Sequence, residues 1–345
     1  MVVVGNGPLA AQLVALCEQA GFATQFLPDP MADCGTAIAQ ADWIIEASGG
    51  SAAAKQRILA RIEVQRTDTS LVTSDESVVP RAELSNGLGD RFERSFAITH
   101  FFSPVDRLQL MELVLPASMA PGLAEQLRAA CTGPLSRTVI ECSDTPGFLA
   151  NRIGLFAMAA GIVEAIDGGL AVEEADALAS SCLGLPRTGF FGLADLIGLP
   201  VVLDLSAELR ARLPIGDAWA TVDLAGKEPI ADMVRQGRLG RAAGGGFYRR
   251  VAGTKVDEPL DLRTNDYRPM SAPAVALSIA DLHADDCVQA RYATKLIRCF
   301  GSYAALIARQ TKTRPALVDQ AVQLGFGWGE GPLALAARAG LLQAD

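Results

Sequence analysis

The first twenty residues constrain the fold more than any other stretch of this chain. Val2-Val3-Val4 is a run of β-branched residues that reads as a buried strand. It leads directly into Gly5-Asn6-Gly7-Pro8-Leu9-Ala10, and a pattern of helical period follows through Ala20. Strand, glycine turn and helix in this order are the context in which G-x-G-x-x-A serves as a dinucleotide-binding turn. Gly5 permits the tight turn, Gly7 lets the backbone approach a pyrophosphate, and Ala10 keeps helix and strand close. The free N–H groups of the helix N-terminus face the phosphates, and Pro8 fits the first helical turn, where its missing donor costs little. A glycine turn in an α/β protein without a cofactor is the competing reading.

The second strand is expected at Ala23–Leu27. An acid at its end would bind the adenosine ribose of NAD. Pro28 stands at the expected position and Asp29 just beyond it, with no Arg beside it in sequence to accept a 2′-phosphate. NAD is therefore favoured over NADP, while Asp29 is also a natural turn residue in Pro28-Asp29-Pro30. A short helix, a strand at Trp43–Ala47, a helix containing Lys55 and a strand at Ser70–Thr73 follow. Ser74-Asp75-Glu76-Ser77 then lies at the carboxyl end of that strand, the edge where doubly wound sheets bind ligands. Strands at Phe96–His100, Leu110–Val114 and Thr138–Glu141 complete a Rossmann-type α/β domain, expected to span residues 1–143.

His100 is one of only two histidines and ends a predicted strand, with Glu112 in the next one. A neutral imidazole is suited to taking a proton near neutral pH, and a carboxylate in reach fixes its tautomer and stabilises the imidazolium. The pair reads as a catalytic dyad or, alternatively, as a buried structural His–Glu pair.

Asp144-Thr-Pro-Gly-Phe148 marks a boundary, after which a long apolar helix is expected from about Phe148 to Gly168 and strand patterns disappear. A helical domain over 144–250 and a second helical repeat over 270–345 are expected. Asp176 leads to Leu183-Gly-Leu185 and the segment Gly189–Leu199; Asp319 leads to Phe326-Gly-Trp328 and the segment Gly331–Leu341, of equal length and apolar spacing. Such an echo reads as a duplicated helical unit, packed on its own copy or on another subunit. The polar stretch Gly253–Pro269 between them reads as a linker with local structure. A net charge of -9 argues against nucleic-acid binding, which needs a basic face. The seven cysteines (17, 34, 131, 142, 182, 287 and 299) form no Cys-x-x-Cys pair, so free thiols in a reducing cytoplasm are expected, and no metal site. No apolar run reaches the ~18 residues of a membrane span, and Met1–Val4 does not read as a signal peptide.

Taken together, these residues resemble the 3-hydroxyacyl-CoA dehydrogenase family. The resemblance is carried, in order, by the early glycine turn, Ile44-Ile-Glu-Ala47, His100-Phe-Phe-Ser-Pro104, Leu113-Val114, Asp144-Thr-Pro-Gly147, Asn151-Arg152, Asp195-Leu-Ile-Gly-Leu199 and Gly245-Gly-Phe-Tyr248. The second repeat resembles the longer members that often carry an enoyl-CoA hydratase domain, for which this sequence has no counterpart. The resemblance implies that His100 is the catalytic base and Glu112 its partner, that Ser77 and Asn151 hold the reacting oxygen, and that Lys55 lies near the cofactor. It also implies NAD as cofactor, an acyl-CoA substrate and a homodimer through the helical domain. By residue type alone, Ser77 fits a helix cap, Asn151 a cap or cross-link at the domain junction, and Lys55 a solvated helix position.

Three departures stand out. Only about fifteen residues join Asp29 to Ile44, where the family has a long helical excursion that helps hold CoA. Thr73-Ser-Asp-Glu76 replaces Ala-Ser-Asn-Thr and adds two negative charges. Gly50 replaces an acid near the nicotinamide ribose, and Ser103 an asparagine. The expected activity is NAD-dependent oxidation of a 3-hydroxyacyl-CoA. A dehydrogenase of a free 3-hydroxy acid and a catalytically degenerate subunit are the alternatives.

Overall fold

A computed structural model describes residues 1–32, 35–254, 256–271, 277–283 and 286–342. Two compact units divide it, Met1–Leu149 and Ala150–Asp345. The break falls later than residue 143 because the segment from Asp144 to Leu149 is bonded into the first unit, as shown below.

The first unit alternates strands and helices: β1 (Val2–Val4), α1 (Pro8–Gln19), β2 (Gln25–Leu27), α2 (Gly35–Ala39), β3 (Trp43–Glu46), α3 (Ala52–Gln65), β4 (Leu71–Ser74), α4 (Arg81–Leu84), α5 (Asp90–Glu93), β5 (Phe96–Phe101), β6 (Leu110–Val114), α6 (Pro121–Thr132) and β7 (Thr138–Glu141). The strands form one sheet in the order β2-β1-β3-β4-β5-β6-β7. The pairings from β2 through β5 are parallel, β5 and β6 are antiparallel, and β6 and β7 are parallel. β1, β3, β4, β5 and β6 are buried along their whole length. Their side chains feed two cores: Val3, Ile45 and Met111 pack on one face, Val2, Val4, Ile44 and Ile98 on the other. Helices covering both faces explain why these strands read as continuous apolar runs. The order of strands reverses between β1 and β3, which opens a crevice at their carboxyl ends. There Gly5 comes so close to β3 that a Cβ on it would lie 2.3 Å from the Ala47 carbonyl oxygen, while a Cβ on Gly7 would meet nothing within 4 Å.

The second unit contains α7 (Ala150–Gly168), α8 (Val172–Ser181), α9 (Phe191–Ile197), α10 (Leu199–Arg212), α11 (Glu228–Arg235), β8 (Tyr248–Arg250), β9 (Asp257–Asp261), β10 (Asp266–Tyr267), α12 (Val288–Thr311), α13 (Pro315–Phe326) and α14 (Pro332–Arg338). α7 starts at Ala150, two residues later than expected, because Gly147 and Phe148 both adopt positive φ (71° and 48°). The expectation that strands end with the first unit is corrected: β10-β9-β8 form a small antiparallel sheet across the stretch read as a linker. Charged residues such as those of Asp257-Glu-Pro-Leu-Asp261 hid it. Only Pro259 and Leu260 of that strand are buried, and Tyr267 lies against the guanidinium groups of Arg238 and Arg249 rather than in an apolar core.

The echo has a shared physical device. Asp176 Oδ1 accepts the N–H of Phe191 and its Oδ2 that of Gly192; Asp319 Oδ1 accepts the N–H of Leu333 and its Oδ2 that of Ala334. In each copy a helix-borne aspartate caps the next helix, two and three residues after Gly189 or Gly331. Each glycine makes room for its aspartate, since a Cβ on either would lie within 2.3 Å of it. The copies pack closely where Phe326 covers Gly154 of α7 and Phe190 meets Phe300 of α12. A buried ion pair of the first copy is bonded by the second: Arg152 donates to Asp217 Oδ2 (2.6 Å) and, across the copies, to the Tyr303 hydroxyl (3.0 Å) and Gln310 (3.0 Å). The described cysteines are free thiols; Cys34 lies outside the described residues. Among the described residues no helix is long and apolar enough to cross a membrane.

The two glycines of the first turn should separate in thermal denaturation. Gly5→Ala forces β1 away from β3 and should cost about 1–3 kcal/mol of stability. Gly7→Ala should leave Tm near that of the parent. Equal Tm values for the two variants would refute the assigned contact.

Candidate active site

The pairing of β5 with β6 sets His100 directly opposite Glu112. Residues so placed share a face of the sheet with their Cβ atoms roughly 5 Å apart, and the side chains close the gap: Nδ1 of His100 lies 2.8 Å from Glu112 Oε2. A carboxylate only accepts hydrogen bonds, so Nδ1 carries the hydrogen and Nε2 keeps the lone pair. Both groups are buried. The imidazole is flanked by Phe102 and Phe148, with ring centroids 4.3 and 6.1 Å away. The other Glu112 oxygen, Oε1, accepts the backbone N–H of Leu149 at 3.0 Å and faces the Cys142 thiol at 3.7 Å. Burial works against the imidazolium, but the hydrogen bond and charge of Glu112, with Asp75 and Glu76 behind it, raise the His100 pKa above its usual 6.5.

A second buried network lies at the carboxyl ends of β3 and β4. Glu46 ends β3 fully buried, accepting from the Ser48 N–H (2.8 Å), the Ser48 hydroxyl and the Ser74 hydroxyl (2.5 Å). Lys55, on α3, faces Glu46 Oε2 at 3.5 Å and Glu76 Oε2 at 3.3 Å. The solvated position that residue type alone allowed for Lys55 is corrected: its side chain is buried between two carboxylates. Burial opposes its charge, yet Glu46 and Glu76 overrule this and hold the ammonium protonated. Glu76 Oε1 accepts three consecutive backbone N–H groups, from Ser77 (2.9 Å), Val78 (2.8 Å) and Val79 (3.1 Å). Its burial is outweighed by Lys55 and these donors, which lower its pKa. Asp75 accepts the Phe101 N–H at 2.7 Å, and burial pushes its pKa up to about 6 against the pull of His100, that N–H and Lys55. The two added acids are thus not loose charges: Glu76 is paired with Lys55 and Asp75 is bonded to the Phe101 N–H.

The segment from Asp144 to Leu149 closes this face of the unit. Asp144 accepts the N–H groups of Arg81 (2.6 Å) and Ala82 (2.9 Å), capping α4 from a distant part of the chain. The Gly147 N–H donates to the Val78 carbonyl at 2.8 Å, and Leu149 reaches Glu112. Ser77 therefore sits in a turn held from both sides. It lies three residues beyond Ser74, whose register partner in β5 is Ile98, two residues before His100. Ser77 and His100 leave the sheet at the same edge. Asn151 is the second residue of α7 and is buried in the second unit.

The glycine turn has the shape its residues foretold. Gly7 is the N-cap of α1, with no side chain capping it and Pro8 at the first position, and Ala10 is fully buried. The open space at Gly7 and the uncapped N–H groups fit a pyrophosphate. Asp29 is exposed and accepts the Met31 N–H at 2.9 Å, a local turn bond. The lack of an arginine beside it holds only along the sequence: Arg61 of α3 lines the same small cleft and donates to the Ala32 carbonyl at 2.7 Å. Gly50 has φ 116°, a conformation that L side chains rarely adopt, so no acid stands there without strain. α2 has five residues, and no other described element lies between Asp29 and β3. Sequence reading passed over the bridge from Glu46 to Lys55 and Glu76. An acid ending a wholly buried strand was the signal, since such a charge has to be paired.

Comparison with known proteins agrees with this architecture. The family model described as 3-hydroxyacyl-CoA dehydrogenase, NAD binding domain, matches residues 27–145, and that described as 3-hydroxyacyl-CoA dehydrogenase, C-terminal domain, matches residues 147–250. The glycine turn precedes the first match, and the second repeat follows the last. A putative fatty acid oxidation complex trifunctional enzyme of Rickettsia felis is 31% identical over 302 residues, 86% of this chain and 42% of the relative. A probable 3-hydroxyacyl-CoA dehydrogenase of Bacillus subtilis is 28% identical, over 92% of this chain and 41% of the relative. Another of Caenorhabditis elegans is 34% identical over 62% of this chain and 68% of the relative. The chain thus spans less than half the length of the first two of these relatives. A crystal structure of a 3-hydroxybutyryl-CoA dehydrogenase from Escherichia coli shares the fold, with a TM-score of 0.68 and 17% identity over 98% of this chain and 86% of that one.

The Glu112 bond to His100 gives a direct prediction. In the folded protein the raised pKa contributes stability that is fully present below pH 6.5 and is lost as the pH rises through the folded value. In Glu112→Gln, burial acts against the imidazolium with only Asp75 and Glu76 to offset it. The His100 midpoint, read by NMR on the ring protons, should fall by at least about one unit. An unchanged midpoint would show that Glu112 does not set it.

Proposed function

Because the chain belongs to the 3-hydroxyacyl-CoA dehydrogenase family, we propose that it oxidises the hydroxyl of a 3-hydroxyacyl-CoA to the 3-keto ester. The observation that carries this reading is the buried dyad. Nε2 of His100, left with its lone pair by the bond from Nδ1 to Glu112, is the base for the hydroxyl proton. Glu112 stabilises the imidazolium that results, and its own orientation is fixed by the Leu149 N–H. Ser77 and Asn151 are the proposed donors to the reacting oxygen, holding it while the proton leaves. The chemistry that bound NAD would supply is acceptance of the hydride from C3. Gly5, Gly7 and Ala10 would hold its pyrophosphate at the N-terminus of α1, with Asp29 as the candidate ribose ligand. Lys55 is a further candidate near the cofactor, its ammonium facing Glu46 and Glu76.

The short connection between Asp29 and β3 favours a second reading, a dehydrogenase of a free 3-hydroxy acid, because a small acid needs less surface than CoA. The ratio of kcat/KM for acetoacetyl-CoA and acetoacetate decides between them. A reducing cytoplasmic setting goes with either reading and is supported by the free thiols among the described residues. A homodimer through the helical unit was also expected; the second repeat covering α7 within one chain favours a monomer, and sedimentation velocity separates the two.

With acetoacetyl-CoA and longer 3-ketoacyl-CoA esters, NADH absorbance should fall, and His100→Gln should reduce kcat by on the order of 10³-fold while leaving NADH affinity within about twofold. In the oxidation direction the base must be neutral, so kcat/KM should rise with pH through an inflection above 6.5. A folded protein inactive towards every ester and free acid would remove the reading.

A further inference from the structure

The side chain of Glu76 does a task that the dyad does not: it shapes the turn that carries Ser77. Three successive N–H groups converge on its Oε1, at 2.8–3.1 Å. An anion inside such a backbone concavity fixes the φ and ψ of every residue that contributes a donor. The other oxygen is tied to Lys55, Lys55 to Glu46, and Glu46 to the Ser74 hydroxyl at the end of β4. The path starts and ends on the strand that leads into Ser77, so it forms a closed brace. The far side of the turn is fastened independently, by the Gly147 bond to Val78 and the Asp144 cap on α4.

We propose that Glu76 is a positioning residue that sets the place of the Ser77 hydroxyl, with Lys55 as the counter-charge that lets the carboxylate do so while buried. The inference rests on the reading of Ser77 as an oxygen-holding group. It accounts for one of the two acids standing beside a site for an anionic ester: Glu76 is an internal ligand of the protein rather than part of the surface that meets substrate. The charged groups around it are Lys55 on α3, Glu46 on β3, the adjacent Asp75, and His100 on β5. With Lys55 and three donors in place, Glu76 stays ionised over the range in which His100 titrates.

The test is a double-mutant cycle with acetoacetyl-CoA and NADH as substrates. Glu76→Ala should lower kcat by on the order of 100-fold, with KM for both substrates within about threefold. Glu76→Gln keeps an oxygen for the three donors and should recover most of that loss. In the Ser77→Ala background, Glu76→Ala should cost less than about threefold, since the residue it positions is gone. An equal loss in both backgrounds, or no loss in the first, overturns the proposal. Amide hydrogen exchange of Ser77, Val78 and Val79 judges it apart from activity: protection should be lost in Glu76→Ala and kept in Glu76→Gln. If the parent protein is inactive, the functional reading fails, and retained protection in Glu76→Ala overturns the brace on its own. Should Glu76→Ala not fold, Lys55→Met replaces it in the cycle and in the exchange measurement, with the same expected pattern and the same overturning results.

Discussion

Everything at the candidate site depends on the register between β5 and β6. That single antiparallel pairing in an otherwise parallel run brings the one acid of Leu-Met-Glu-Leu-Val opposite the histidine that ends Phe-Ala-Ile-Thr-His. A slip of one residue would turn Glu112 to the opposite face of the sheet, away from His100 and from the Leu149 N–H. The register is held by more than the strands. Leu149 bonds the other oxygen of Glu112, and the turn that delivers Leu149 is anchored on Val78 and α4. The geometry of the His–Glu pair and the end of the first unit are one construction.

Much of this was legible in the residues. The glycine turn, the seven strands and the His–Glu pair follow from patterns whose physics is local: β-branched runs, tight turns, a lone imidazole at a strand end. Three things were not legible. The role of Glu76 needs a carboxylate to curl back on the three residues after it, which no spacing rule reveals. The placement of Lys55 depends on α3 lying over the ends of β3 and β4, so a helix lysine that looks solvated becomes a bridge. The small sheet of the second unit was missed because its strands are mostly polar, so their pairing leaves no apolar alternation to read.

The departures from the family pattern acquire physical reasons. Gly50 sits at a positive φ where an acid would be strained. The lysine that follows it instead finds a carboxylate in Glu76, on the neighbouring strand end.

The duplicated helices carry a further consequence. Gly154, Arg152 and Asp217, which all precede residue 250, are covered or bonded by Phe326, Tyr303 and Gln310, which all follow it. A chain stopping near residue 250 would leave that apolar face bare and that ion pair wet, so it would have to borrow a cover from another polypeptide. Its folding would then depend on protein concentration. Here Phe326, Tyr303 and Gln310 supply that cover from the same chain.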